Sequence, residues 1–321
     1  MAARPAWALE PADGPRIDAL VASFMSAFEI PGMGIAIVRK GAPAFTRGYG
    51  VRALGRPERV DEDTLFAIAS NSKSFVAASL AMLVEEGKLG WDEPVVKYLP
   101  EFEMSDPAVT QMMTVRDLLV HRSGLALGAG DLMQFPLSDH KREEFLPALR
   151  HLKLARGFRS GYAYDNILYV VAGILIERVS GRSWEDFVTA RLLRPIGMRT
   201  AVADRTRLRT ANVVARHARL GPPARGLGKL EIVQPDESPA ASPAGGIHAS
   251  VSDIVHWLTL QLGKVRFPTG AASGARTRPP RCGPRRSSPG PRTARRRNCR
   301  RGRCSPAMRS AGSCRIIAAG G

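Results

Sequence analysis

The chain has 321 residues, 44% of them hydrophobic, and a formal net charge of +18. That length allows one large domain or two lobes sharing a cleft, and the composition can bury a sizeable core. The sequence contains no run of about 18 apolar residues, which excludes a membrane-spanning helix, and residues 1–5 begin no continuous apolar stretch, so as given the chain reads as cytoplasmic. A periplasmic or secreted protein stays open if the true start lies upstream.

The charge is not spread evenly. Residues 271–321 hold 14 arginines, no lysine and no acidic residue, which leaves about +4 for residues 1–270. The basicity therefore belongs to one segment, and nucleic-acid binding by the rest of the chain is not indicated. All four cysteines (Cys282, Cys299, Cys304, Cys314) lie in that segment, so no disulfide framework and no thiol nucleophile is expected in the body.

From the N-terminus, residues 1–13 read as a flexible lead-in. Ile17, Leu20, Val21, Phe24 and Phe28 recur at helical spacing and predict an amphipathic helix. Two short apolar runs, 33–39 and 44–49, flank Lys40, Gly41, Ala42 and Pro43 and predict a β-hairpin. A helix is predicted from near Ser70 to Glu86, with Val76, Leu80, Leu83 and Val84 buried and Gly87 as its cap. Thr114 with Asp117 three residues on reads as an N-cap. Further helices are predicted over 166–179, closed by Gly181, over 183–193, stopped by Pro195, and from Ser250 with Asp253 to Gly263. A core around Phe66, Leu80, Leu83, Ile174 and Leu193 is expected. A helix, a hairpin and then mostly helices make an α+β protein with a helical lobe inserted after the first strands.

From residue 271 the segment contains no Leu, Val, Phe, Tyr or Trp and is rich in Arg, Pro, Gly, Ser and Cys. Such a stretch cannot offset its ordering entropy by burial, so disorder is expected. Two origins compete: an out-of-frame reading of a GC-rich gene, which is favoured, and a basic nucleic-acid-binding tail.

Two short motifs carry chemistry. In Ser70-Asn71-Ser72-Lys73, a three-residue step at a helix start puts Ser70 and Lys73 within reach of each other. The helix N-terminus favours an anion developing beside Ser70, and a desolvated Lys73 could serve as its base. The bland alternative is a capping serine with a solvated lysine. In Tyr164-Asp165-Asn166, Tyr164 can shuttle a proton if neighbouring cations depress its pKa, and Asn166 can hold a lysine and a substrate carbonyl together. Their bland alternatives are aromatic packing and a plain cap. The six histidines (His121, His140, His151, His217, His248, His256) show no metal-ligand spacing and read as surface or capping residues, with His121 bracing a turn. Neither a metal nor a cofactor is expected. Gly245-Gly246 reads as a tight turn, or as a point where backbone approaches a cleft.

Together these stretches resemble a known superfamily. Residues 64–102, with LVEEGKLGWDEPVVKYLPEF, are similar to class C β-lactamases, D-alanyl-D-alanine peptidases, D-aminopeptidases and related esterases. So are TVRDLLVHRSGL at 114–125, YAYDNILYVVAGILIERVSGRSWEDF at 162–187, RPIGM at 194–198 and SPAGGIHASVSDIVHWL at 242–258. The resemblance implies a β-lactamase/transpeptidase-like fold over residues 14–268, an antiparallel sheet flanked by helices plus a helical lobe. It implies Ser70 as acylated nucleophile, Lys73 as paired base, Tyr164 as proton shuttle and Asn166 as orienting group. The implied activity is a serine hydrolase forming an acyl-enzyme on an ester, a D-amino-acid amide or peptide, or a β-lactam. The family's third motif, Lys or His followed by any residue and Gly on a late strand, is not found after Ser242; residues 269–321 stand there instead, so C-terminal strands are expected to be missing. Two alternatives accompany this reading: a catalytically inactive truncated member, and nucleic-acid binding through the tail. Small-molecule or peptide substrates are the expected partners, and the oligomeric state is not indicated.

Overall fold

The computed structural model describes residues 13–39, 42–221, 228–235 and 238–263. Helix α1 (Asp13–Phe28) occupies the predicted N-terminal stretch. Of its predicted apolar stripe only Val21 is buried, whereas Leu20, Phe24 and Phe28 are exposed and the two phenylalanine rings stack on each other at 5.8 Å. The helix is tied down through a polar residue: Tyr49 donates to Asp18 at 2.7 Å, and Arg47 pairs with the same carboxylate. Tyr49 lies on the hairpin of β1 (Gly32–Arg39) and β2 (Ala42–Gly50), which pair antiparallel with a register shift between Ile37 and Val38. The predicted hairpin is thus present. Among the described residues each of the two strands pairs only with the other. The expected loss of C-terminal strands and the Arg-rich tail both fall on residues outside those described.

Two further sheets were not read from the sequence. Strand β3 (Phe66–Ala67) pairs with β6 (His248–Ala249), and β4 (Arg216–Leu220) pairs with β5 (Lys229–Val233), both antiparallel. A two-residue strand is too short to show alternation, so only the tertiary partner reveals it.

The helical part follows the predicted grammar. After a 3-10 turn at Ala69–Ser72 comes α2 (Lys73–Glu85), ended by Gly87 at φ +69°. The short α3 (Pro107–Met112) starts on Asp106, whose carboxylate accepts from Ala108 N at 2.8 Å. Thr114 and Asp117 do bond reciprocally, but they open a 3-10 turn, Arg116–Leu119, and no α-helix. Helix α4 (Arg142–Ala148) precedes α5 (Ile167–Ser180), which Gly181 closes in the left-handed region at φ +69°, where glycine carries no Cβ penalty. Ser183 caps α6 (Trp184–Val188), which continues as a π turn over Thr189–Leu193. Helix α7 (Ser242–Gly245) is a single turn, and the Ser250–Asp253 capping box opens α8 (Val251–Leu262) as predicted.

The core sits between these helices. Phe75, Leu80, Leu83, Ile167, Leu175, Trp184 and Leu193 are fully enclosed, and Phe75 stacks on Trp257 of α8 with ring centroids 4.0 Å apart. Of the expected core, Phe66 and Ile174 are only half-buried. Helix α5 is apolar nearly all round, which marks it as the central element. Its Gly173 receives the ring of Pro243: a Cβ there would stand 2.4 Å from Pro243 Cγ. That close approach seats α7 against α5. Alanine is the better helix former, yet Gly173→Ala should destabilise the protein by about 1–3 kcal/mol, the usual range for overpacking a filled site. Urea unfolding of the two proteins checks this; an unchanged or raised midpoint would show that α7 yields freely.

Candidate active site

Ser70 lies in the 3-10 turn that leads into α2, exposed, while Lys73, at the first position of α2, is buried beneath it. The residue before Ser70, Ala69, has φ +44°, a strained conformation for a side-chain-bearing residue, and this sharp corner lifts the serine into the open. Two backbone ties clamp the corner against residues 242–249: Ile68 N donates to Ile247 O at 2.9 Å, and Ile247 N donates to Ser72 Oγ at 3.1 Å. Ser72, which the sequence offered only as an alternative helix cap, makes no side-chain capping bond and accepts from Ile247 instead. Gly245 packs on Ala69 here, with ordinary room for a Cβ at 3.6 Å, so the glycine pair marks a close backbone approach as well as a turn.

The structure brings all four sequence-identified residues together. Lys73 Nζ lies 3.1 Å from Ser70 Oγ, 2.7 Å from Asn166 Oδ1 and 2.6 Å from the Ala244 carbonyl oxygen. Tyr164 OH donates to Ser70 Oγ at 2.6 Å. Tyr164 reaches the serine and Asn166 the lysine because both directly precede α5, at its N-terminal end. Burial pushes the Lys73 ammonium down to about 8, against the opposing pull of Asp131 and Asp165. Burial raises Tyr164, and the Ser70 hydrogen bond only partly offsets this. The expected depression of Tyr164 by cations is therefore not seen; the phenol keeps its proton and points it at the serine oxygen.

Several contributors escaped the sequence. Asp131 Oδ1 accepts from Asn166 Nδ2 at 2.9 Å and from Gln134 Nε2 at 2.8 Å, which fixes the amide so that its oxygen faces Lys73. Asp165 is fully buried and its backbone N–H donates to His121 Nδ1 at 3.2 Å. His121 stacks on Tyr164 with ring centroids 4.4 Å apart and packs near Tyr162 and Tyr169. It braces its turn as expected, but its side chain is only 11% exposed, and His248 is buried too; neither is a surface histidine. Aspartates scattered through loops carry no periodic signal, so nothing local marked Asp131.

Behind α7 lies a charged cluster. Arg142, from α4, pairs with Glu177 of α5 and Glu185 of α6, and donates to Ser242 Oγ at 2.9 Å and Ala240 O at 2.9 Å. It thus ties the turn that offers the Ala244 carbonyl to three helices. The Arg142 guanidinium holds the Glu185 carboxyl below its ordinary range although burial opposes this.

Ser70 and Asn166 open on a cleft whose wall also includes Ala67, Ala69, Phe135, Asp204, Arg205, Arg216, Pro239 and His248. Among the described residues no group of three or more His, Cys, Asp or Glu could hold a metal ion, and no helix is long and apolar enough to cross a membrane.

The Beta-lactamase family model matches residues 17–296, most of the chain. The chain belongs to the beta-lactamase family. Among curated proteins it is 31% identical over 259 residues to Unguisins hydrolase ungD' of Aspergillus campestris, covering 76% of this chain and 46% of that protein. It is 24% identical over 247 residues to Protein flp of Staphylococcus aureus, covering 77% and 48%. The chain therefore spans about half the length of the curated relatives it matches. Among solved structures it is similar to the octameric penicillin-binding protein homologue of Pyrococcus abyssi, with 25% identity, a TM-score of 0.63 and coverage of 77% of this chain and 56% of that one. It shares its fold with the D-alanine carboxypeptidase AmpC of Burkholderia cenocepacia (24% identity, TM-score 0.65, coverage 80% and 66%). The β-lactamase-like α+β architecture implied by the sequence is thus established.

Removing Arg142 exposes what the cluster holds. In Arg142→Met the buried Glu185 loses its counter-charge, and the loss expected near neutral pH is about 3–5 kcal/mol. The sign with pH follows from the lowered Glu185 value: its stabilising pairing is complete above the ordinary carboxylate range and is lost as acid protonates it. The gap between the two proteins should therefore narrow as pH falls below about 4.5, the unperturbed glutamate value. Denaturation midpoints at pH 7 and pH 4 test this; a gap that widens in acid would contradict the pairing.

Proposed function

We propose that the protein is a serine acyl hydrolase in which Ser70 attacks an ester, amide or lactam carbonyl. The observation that carries the reading is the Lys73 amine, buried and within 3.1 Å of Ser70 Oγ, with its other two contacts both acceptors. A neutral amine has two N–H donors and one lone pair. Donating to Asn166 Oδ1 and Ala244 O leaves the lone pair facing the serine hydroxyl. Ser70 Oγ bonds to the carbonyl carbon as its proton passes to Lys73 Nζ. Collapse of the tetrahedral adduct breaks the bond to the leaving group, which takes a proton relayed through the Tyr164 hydroxyl, and the relay is refilled from Lys73. Water then attacks the acyl-enzyme, gives its proton back through the same pair, and releases the acid with Ser70 restored.

Membership of a family that contains hydrolases supports the reaction class, as does the similarity to the Aspergillus hydrolase. The fold itself serves many chemistries and selects none. Within the class we keep an ester, a D-amino-acid amide or peptide, and a β-lactam as substrates of this site.

Two measurements test the reading. A fluorophosphonate or a labelled penicillin should modify the protein on Ser70, and Ser70→Ala should take no label while melting as the parent does. Peptide mapping that places the label elsewhere, or finds none, would remove Ser70 as nucleophile. The acylation rate should also rise with pH through about 8, because Lys73 must be neutral to accept the serine proton. A profile flat from pH 6 to 10 would take the base role from Lys73.

A further inference from the structure

His121 grips the backbone on both sides of Tyr164. Its carbonyl oxygen accepts from Ala163 N at 2.9 Å and its ring Nδ1 accepts from Asp165 N at 3.2 Å, so one residue takes the N–H groups just before and just after the tyrosine. A third bond, from Gly128 N to the Tyr164 carbonyl at 2.9 Å, comes from the loop that carries Asp131. His121 itself lies in the left-handed region at φ +55°. That conformation is unfavourable for a residue with a side chain and persists where the surroundings over-determine it. The turn is anchored on either side: Leu119 O accepts from Tyr169 OH at 2.8 Å, and Arg122 O accepts from Arg159 N at 2.8 Å.

The imidazole also covers the phenol. The His121 and Tyr164 rings stack with centroids 4.4 Å apart and planes 30° apart. Lys73 Nζ lies 4.9 Å from the centroid of the same phenol ring, and the hydroxyl reaches Ser70 Oγ at 2.6 Å. A tyrosine ring turns about two side-chain bonds, so its hydroxyl stays on one target only while neighbouring groups hold the ring.

We propose that His121 is a positioning residue that aims the Tyr164 hydroxyl, so that a leaving group is protonated as it departs. The proposal rests on the acyl-hydrolase reading and adds what holds the proton relay in line. His121 acts through Tyr164, so its effect belongs to the step that uses the phenol proton. As the bond from the acyl carbon to the leaving oxygen breaks, the electron pair goes to that oxygen. An alkoxide must take the Tyr164 proton at that moment, whereas a p-nitrophenolate leaves as the anion.

The test uses the full chain and three acetate esters: p-nitrophenyl, phenyl and ethyl acetate. All three form the same acetyl-enzyme, so kcat/KM compares acylation alone. His121→Asn removes the ring, while asparagine tolerates the left-handed backbone and its side-chain oxygen can accept from Asp165 N. Relative to p-nitrophenyl acetate, ethyl acetate should lose roughly 10–100-fold in kcat/KM, with phenyl acetate between them. His121→Phe, which supplies a ring to stack again, should recover most of that loss. In the Tyr164→Phe background, which has no phenol proton to give, His121→Asn should change the ratio by less than about twofold. Each ratio is taken within one preparation, so a smaller folded fraction cancels. An equal loss on all three esters, no loss, a loss that His121→Phe leaves unrepaired, or an undiminished effect in the Tyr164→Phe background overturns the proposal. Absence of any turnover together with absence of Ser70 label defeats the hydrolase reading instead. In that case the fluorine NMR resonance of fluorotyrosine at Tyr164, assigned by its loss in Tyr164→Phe, still decides. A resonance that His121→Asn moves and broadens and His121→Phe returns toward the parent supports the positioning, and an unmoved one removes it.

Discussion

The placement of one buried amine organises the rest of the site. Lys73 Nζ sits among Ser70 Oγ, Asn166 Oδ1 and the Ala244 carbonyl, on a side chain that is only 6% exposed. Burying a lysine is unfavourable unless its hydrogens are satisfied, and the cost falls on the charged form. The same desolvation that lowers its proton affinity therefore gives it the capacity to act as a base. Each of its contacts is held in turn by a separate part of the fold. Ala69 strains the corner that carries the serine, Asp131 orients the asparagine amide, and the cluster around Arg142 anchors the turn that offers the carbonyl.

These supports come from distant parts of the chain. Residues 67–73, 131, 142, 164–166 and 242–248 meet at one place, and the elements that carry them are short turns as often as helices. The precision of such a site depends on rigid neighbours. Helix α5 provides much of that rigidity, since it is buried on nearly every face and receives Pro243 in the gap left by Gly173. The charges follow a similar economy. Asp131 and Asp165 draw the Lys73 value upward while burial draws it down, so the amine stays near neutrality instead of losing its proton affinity altogether.

The helices were legible because each carries its own boundary chemistry. Gly87 and Gly181 end α2 and α5 in the left-handed region, Ser183 and Ser250 open α6 and α8, and the apolar spacing between them follows 3.6 residues per turn. The hairpin was legible from two apolar runs separated by turn residues. The α1 stripe was read correctly as a helix but not as a buried one, because periodicity reports an apolar face without saying what covers it. His248, read as a surface or capping residue, is buried, because what covers a side chain is set by elements distant in the chain.

The sequence by itself determined the family, the helices α1, α2, α5, α6 and α8, and the candidate residues Ser70, Lys73, Tyr164 and Asn166, because local spacing and a resemblance spread over 15–268 are both properties of the linear chain. Only the tertiary structure decided that these residues converge, that Tyr164 keeps its proton, and that Asp131, Arg142 and Ser72 bear on the same site. Proton affinity depends on what surrounds a group in space, and a side chain's partner is set by packing between elements far apart in sequence. Neither quantity has a local signature, so an aspartate that orients an amide looks in the sequence like any other charged loop residue.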